Sequence, residues 1–144
     1  MLFSEAAGRK VVSTSTAETV GQIADFVIDS RTRSLVALTV KKTHHGDTLL
    51  WTRITAFGTD AVTVPAAEAI IDADDAVAAL SGKDQRPIGK RVLTTAGEDL
   101  GPVADVDFDP ENGRLITLTL ATGGIAAERL IAIGSYAAVV HPDP

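Results

Sequence analysis

Adjacent histidines and repeated aspartates are the residues of this 144-residue chain that could carry chemistry. His44 and His45 lie in the polar stretch THHGD (43–47), and imidazole nitrogens are common zinc ligands. Two neighbouring histidines on a loop do not complete a metal site, and no further ligand stands at a suitable spacing. We therefore interpret the stretch as a polar hairpin tip and predict no metal site and no cofactor.

Asp25 and Asp105 occupy the same place in two similar stretches, GQIADFVIDSRTRSLVALTV (21–40) and GPVADVDFDPENGRLITLTL (101–120). Paired carboxylates could bind a metal or move a proton. A solvated strand face, or a hydrogen bond to a neighbouring turn, is the simpler interpretation, because exposed carboxylates are common. The chain shows no nucleophile with a base, no phosphate loop and no dinucleotide fingerprint, so we do not expect an enzyme.

Trp51 is the single tryptophan, and the repeat aligns it with Ala127. Tryptophan is enriched at binding hot spots, which makes Trp51 a candidate contact for a partner. The alternative, which we favour, is a half-buried strand residue that packs on the helix or on the other copy. The candidate interaction surface comprises Trp51, His44, His45, Asp25 and Asp105.

The repeat predicts the elements that hold these residues. Seven of twenty positions are identical between 21–40 and 101–120, at an offset of 80 residues. RITAFGTDAVTV (53–64) matches RLIAIGSYAAVV (129–140) at an offset of 76. The four-residue difference lies in a hairpin that is longer in the first copy. We call 8–64 copy one and 89–140 copy two.

Each copy is predicted to form strands. In ITLTL (116–120), aliphatic residues alternate with threonine, which is typical of a strand with one buried face. Turn residues such as those of DPENGR (109–114) separate the strands. We predict five strands per copy, at 10–14, 21–29, 34–41, 48–52 and 60–64, and at 91–95, 101–108, 114–121, 125–129 and 136–140.

One stretch, PAAEAIIDADDAVAAL (65–80), lacks this alternation. Its apolar residues recur at helical spacing from Ala66, which predicts an amphipathic helix joining the copies. The expected fold is all-β, with two tandem small barrels joined by one helix. The predicted division is 1–80, including that helix, and 81–144.

The two hairpin turns differ in one position. Arg33 stands where copy two has Gly113, and a loop of this length usually places its last residue in the left-handed region. We predict a positive φ at both positions. On this basis Arg33→Gly should stabilise the protein, or at least not harm it, whereas Gly113→Arg should destabilise it by about 1 kcal/mol or more.

The composition restricts the function classes. The net charge is −6, and the bases of copy one do not form a continuous stripe, which disfavours direct nucleic-acid binding. No apolar run approaches 18 residues, and the start MLFSEAAGRK has no secretory pattern. The chain has no cysteine. We expect a cytoplasmic protein without a transmembrane segment.

The residues Gly89, Val92, Gly97, Leu100, Gly101, Val103, Asp105, Asp109 and Gly113 form a pattern that resembles the PRC-barrel family. That family includes the cytoplasmic domain of the photosynthetic reaction centre H subunit and the C-terminal domain of a small-subunit ribosome maturation factor. The match covers 8–64 and 89–140, with Ser30 and Arg33 of copy one departing from it. The resemblance implies non-enzymatic modules that dock proteins.

Three hypotheses remain open at this point. The first is a protein-interaction or scaffold module with an unidentified protein partner, for which a homodimer is one arrangement. The second is an accessory role in RNA metabolism or ribosome assembly through docking on a protein. The third, a metal-binding protein or an enzyme, rests only on the histidine pair and the duplicated aspartate, and we rank it last.

Overall fold

The computed structural model describes residues 1–142 and consists mainly of β-strands in two similar sheets. Copy one contains β1 (Lys10–Ser13), β2 (Thr19–Asp29), β3 (Ser34–Lys41), β4 (Thr48–Leu50), β5 (Ala56–Phe57) and β6 (Ala61–Val64). The connection contributes β7 (Ile70–Ile71). Copy two contains β8 (Arg91–Thr94), β9 (Asp99–Phe108), β10 (Leu115–Leu120), β11 (Gly123–Ala126), β12 (Leu130–Ile133) and β13 (Ala138–Val140). The all-β prediction is confirmed.

The two copies share one strand order. It is β5-β6-β1-β2-β3-β4 in copy one and β12-β13-β8-β9-β10-β11 in copy two, and β7 extends the first sheet beyond β4. In each copy the first strand pairs in parallel with the last, β1 with β6 and β8 with β13.

Among residues 1–142, none of the helices has the length and apolar character needed to span a bilayer.

The strand register repeats as well. Asp25 pairs with Thr39 in copy one, and Asp105 pairs with Thr119 in copy two. One unpaired residue precedes each aspartate and makes a β-bulge, Ala24 or Ala104. The identities at these positions therefore correspond to a shared local bend of the long strand.

The predicted helix over 65–80 is wrong in extent. Only α2 (Asp75–Leu80) is α-helical, after a 3-10 turn at Ala67–Ala69 and strand β7. Ile70 is buried and pairs with Leu49 of β4, so this stretch gains strand partners and burial that a helix would forgo. The Asp74 carboxylate accepts a hydrogen bond from the Val77 amide at 2.8 Å and sets the start of α2.

Other boundaries also differ from prediction. The strands predicted at 48–52 and 125–129 end early, in 3-10 turns at Trp51–Arg53 and Ala127–Arg129. The short strands β5 and β12 follow these turns and were not predicted. Neither were α1 (Phe3–Ala6) and a 3-10 turn at Lys83–Gln85.

One hydrophobic core joins the two copies. All four phenylalanines of the chain contribute to it: Phe3 stacks on Phe26 at 4.1 Å, and Phe57 meets Phe108 edge-on at 5.3 Å. Phe108 belongs to copy two, whereas Phe26 and Phe57 belong to copy one. The shared core follows from the small size of each copy, which alone buries little surface.

The two hairpin turns meet each other at the junction. The Leu35 amide donates to the Gly113 carbonyl at 2.8 Å, and the Leu115 amide donates to the Arg33 carbonyl at 2.9 Å. This reciprocal pair is the pattern expected of a pseudo-twofold relation. The φ angles are 54° at Arg33 and 78° at Gly113, which confirms the predicted left-handed turns.

Candidate functional site

The histidine pair lies at the tip of the long hairpin between β3 and β4. His44 and His45 are both exposed, and the Thr43 hydroxyl donates to the Gly46 carbonyl to close the turn. Residues 1–142 contain no cluster of three histidine, cysteine or acidic side chains placed to hold a metal ion. A Cβ on Gly46 would overlap the backbone of Ile71, so the hairpin tip lies directly against β7.

Asp25 and Asp105 are half-buried and bind the segments that lead into the opposite copy. Asp25 forms an ion pair with Arg86, with 2.8 Å between Oδ2 and Nε. Asp105 accepts hydrogen bonds from the Ser4 hydroxyl and, at 3.2 Å, from the Ser4 amide. Ser4 precedes copy one and Arg86 precedes copy two, so the two aspartates hold the lead-in segments reciprocally.

Trp51 lies at the junction of the copies. Its ring is half-buried, stacks on Phe57 at 5.8 Å and covers Gly113, where a Cβ would come within 2.9 Å of Cε2. Trp51, the histidines and the two aspartates thus contact different elements. Their role as one interaction surface stays a prediction.

The edge of the sheet at β4 is covered in copy one. β7 pairs with β4 in antiparallel fashion, Leu49 opposite Ile70 and Thr48 opposite Ile71. The Ile70 side chain is 2 % exposed and its Cδ1 lies 3.3 Å from the position of a Cβ on Gly21. The long hairpin closes over β7 through Gly46 and reaches Gly21 through the Thr43 methyl group.

The equivalent edge of copy two is open. β11 corresponds to β4, because Leu118 pairs with Ile125 as Leu38 pairs with Leu49. Within residues 1–142, β10 is the one strand that pairs with β11. Copy two lacks the four extra hairpin residues, and within residues 1–142 no strand takes the place that β7 has in copy one. In this part of the chain, the backbone groups on the outer side of β11 have no strand to pair with.

A groove of about 410 Å³ lies beside β11. Its lining is mixed: Leu100, Leu120 and Ile125 are apolar, Gly123 and Gly124 leave the backbone accessible, and the remaining side chains are Thr94, Glu98, Thr122, Arg129 and Pro142. Leu100 and Leu120 correspond to Val20 and Val40 of copy one. Ile125 corresponds to Leu49, the residue opposite Ile70 in copy one, so a strand added to β11 in the same register would place an aliphatic side chain beside this groove.

Sequence reasoning missed this edge for a definite reason. GGIA (123–126) looks like a hairpin turn and a short strand, and nothing within it reveals what pairs with its outer side. The signal was comparative: the hairpin before β4 in copy one is four residues longer than its counterpart in copy two.

Part of the chain is similar to a known domain family. Residues 81–142 match the family model of the PRC-barrel domain. The matched range includes all six strands of copy two. Copy one lies outside the match, and its relation to copy two rests on the shared strand order and register. Comparison with curated proteins finds no similar sequence.

Proposed function

On the premise that residues 81–142 form a PRC-barrel domain, we propose that this protein is a non-enzymatic interaction module that receives an extended segment of a partner protein along β11. One observation carries the proposal. The same sheet edge bears β7 in copy one and has no added strand in copy two within residues 1–142.

In strand addition, a partner segment binds through its main chain and through its side chains. Main-chain hydrogen bonds to the edge supply affinity, and alternate side chains entering pockets supply specificity. β7 serves as an internal template, because Ile70 faces inward while Ile71 is 39 % exposed. The partner segment is therefore extended, with an aliphatic residue opposite Ile125 and a residue tolerant of solvent beside it.

Site-specific photo-cross-linking in the native host tests the proposal. A photoreactive residue replaces Ala126, an exposed residue of β11, and in a matched control it replaces Ala132, an exposed residue of the opposite edge strand β12. We expect a discrete adduct at position 126 and none at 132. Mass spectrometry should locate the adduct in an extended aliphatic segment. Equal adducts at both positions, or no adduct at 126, would contradict the proposal.

A further inference from the structure

Copy two carries a second surface, away from the β11 edge. An open groove of about 680 Å³ is bordered by Lys83, Arg86, Lys90 and Arg91, together with Ile88 and Tyr136. The two apolar members project into solvent, since Ile88 is 46 % exposed and Tyr136 is 66 % exposed. We call these six residues the basic groove.

The charges of the basic groove are only partly neutralised. Arg86 pairs with Asp25, and Arg91 pairs with Asp99 at 3.2 Å while its guanidinium lies 5.0 Å from the centre of the Tyr136 ring. These contacts hold both arginines and the tyrosine in place. The Lys90 Nζ donates to the Lys83 carbonyl at 3.4 Å. Neither lysine has a carboxylate partner among residues 1–142, so the two positive charges are not neutralised by an ion pair, on a protein of net charge −6.

The fold itself does not require this chemistry. Copy one builds the same sheet with Glu5 where copy two has Arg86, and with Asp60 where copy two has Tyr136. Lys90 and Arg91 have basic counterparts in copy one, Arg9 and Lys10, so what is particular to copy two is the addition of Arg86 and Tyr136 to this basic pair.

We propose that the basic groove binds an acidic segment of a partner protein. Carboxylates of the segment meet Lys83 and Lys90, and an apolar side chain lies on Ile88 and Tyr136. Complementary charge of this kind favours encounter and selects the partner. A nucleic acid fits less well, because the bases form one short patch and not a stripe that could follow a phosphate chain. The inference does not depend on strand addition at β11.

A binding assay with a defined probe tests the inference. The probe is a fluorescein-labelled hexapeptide, Glu-Asp-Glu-Ile-Asp-Glu, followed by anisotropy at low and physiological salt. We expect saturable binding that weakens as salt rises, because the contacts are electrostatic. The amide analogue, Gln-Asn-Gln-Ile-Asn-Gln, should bind at least about tenfold more weakly.

Charge-reversal variants locate the site. Lys83→Glu with Lys90→Glu should lower affinity at least about tenfold, and Tyr136→Ala should lower it by a smaller factor. Lys10→Glu with Lys41→Glu changes the net charge equally at exposed positions of copy one and should alter affinity less than about twofold. Equal loss in both double variants, equal binding of the amide peptide, tighter binding of a labelled oligo-dT, or no saturable binding would each overturn the inference.

Discussion

At the scale of residues, the junction pairs unequal partners at equivalent positions. On one side the Trp51 ring covers Gly113. On the other, Ala127 takes the place of the tryptophan and Arg33 that of the glycine, and the Arg33 Nε donates to the Leu130 carbonyl at 2.8 Å. One side therefore combines the large Trp51 with the small Gly113, and the other combines the large Arg33 with the small Ala127. This arrangement accounts for the sequence differences between the copies at these equivalent positions.

A double-mutant cycle tests this pairing. Gly113→Ala should destabilise the protein by about 2 kcal/mol or more, because it combines a positive φ with an overlap with Trp51. In a Trp51→Ala background the overlap disappears, and the same change should cost about 1 kcal/mol. Chemical denaturation gives the four free energies of unfolding. An identical cost in both backgrounds would refute the contact.

Arg33→Gly is the counterpart in copy one. Relief of the positive φ favours the variant, but loss of the hydrogen bond to Leu130 opposes it by about 1 kcal/mol. The free energy of unfolding should therefore change by less than about 1 kcal/mol. The stabilisation considered from sequence is offset by a contact between copies that an isolated turn could not reveal.

At the scale of elements, β7 is the feature that distinguishes the two sheets. Ile70→Ala should destabilise the protein by about 2–5 kcal/mol, because a buried isoleucine leaves a cavity. Ile71→Ala, at a half-exposed neighbour, should cost less than about 1 kcal/mol and serves as the control. Similar losses in denaturant midpoint for both variants would show that β7 does not insert as described.

The elements also show what the sequence could and could not predict. The repeat predicted strand register correctly, because Asp25 and Asp105 mark equivalent bulges whose geometry is local. The helix prediction failed because the spacing of alanine and isoleucine suits a helical face, whereas pairing with β4 decides the conformation of Ile70. Asp74, a good N-cap residue inside the predicted helix, was the local sign that the helix begins there.

The basic groove and the open edge of β11 could not be predicted from the sequence, for a related reason. Lys83 and Lys90 lie far from Tyr136 in the sequence, and the fold brings them to one groove. The open edge of β11 likewise depends on what the remaining chain leaves uncovered. Both features arise from tertiary arrangement rather than from a motif.

At the scale of the whole molecule, one hydrophobic core is shared by the two copies, and we therefore expect them to unfold as one cooperative unit. Trp51 fluorescence and far-UV circular dichroism should report the same denaturation midpoint. Phe108→Ala, a change in copy two, should lower both midpoints together, with a cost of about 3–5 kcal/mol, because the ring packs on Phe57 of copy one. Two separate transitions would show that the copies unfold independently.

The central claim is that the outer edge of β11 is open and accepts a strand. Residue-resolved amide hydrogen exchange tests this claim most directly. It is measured on the free protein and on the complex with the partner that the photoreactive residue at position 126 captures. In the free protein we predict that outward amides of Gly123–Ala126 exchange faster than those of Thr48–Leu50, which β7 covers. In the complex, exchange at Gly123–Ala126 should slow markedly. Protection of β11 equal to that of β4 in the free protein, or exchange at β11 that is unchanged by the partner, would contradict the account.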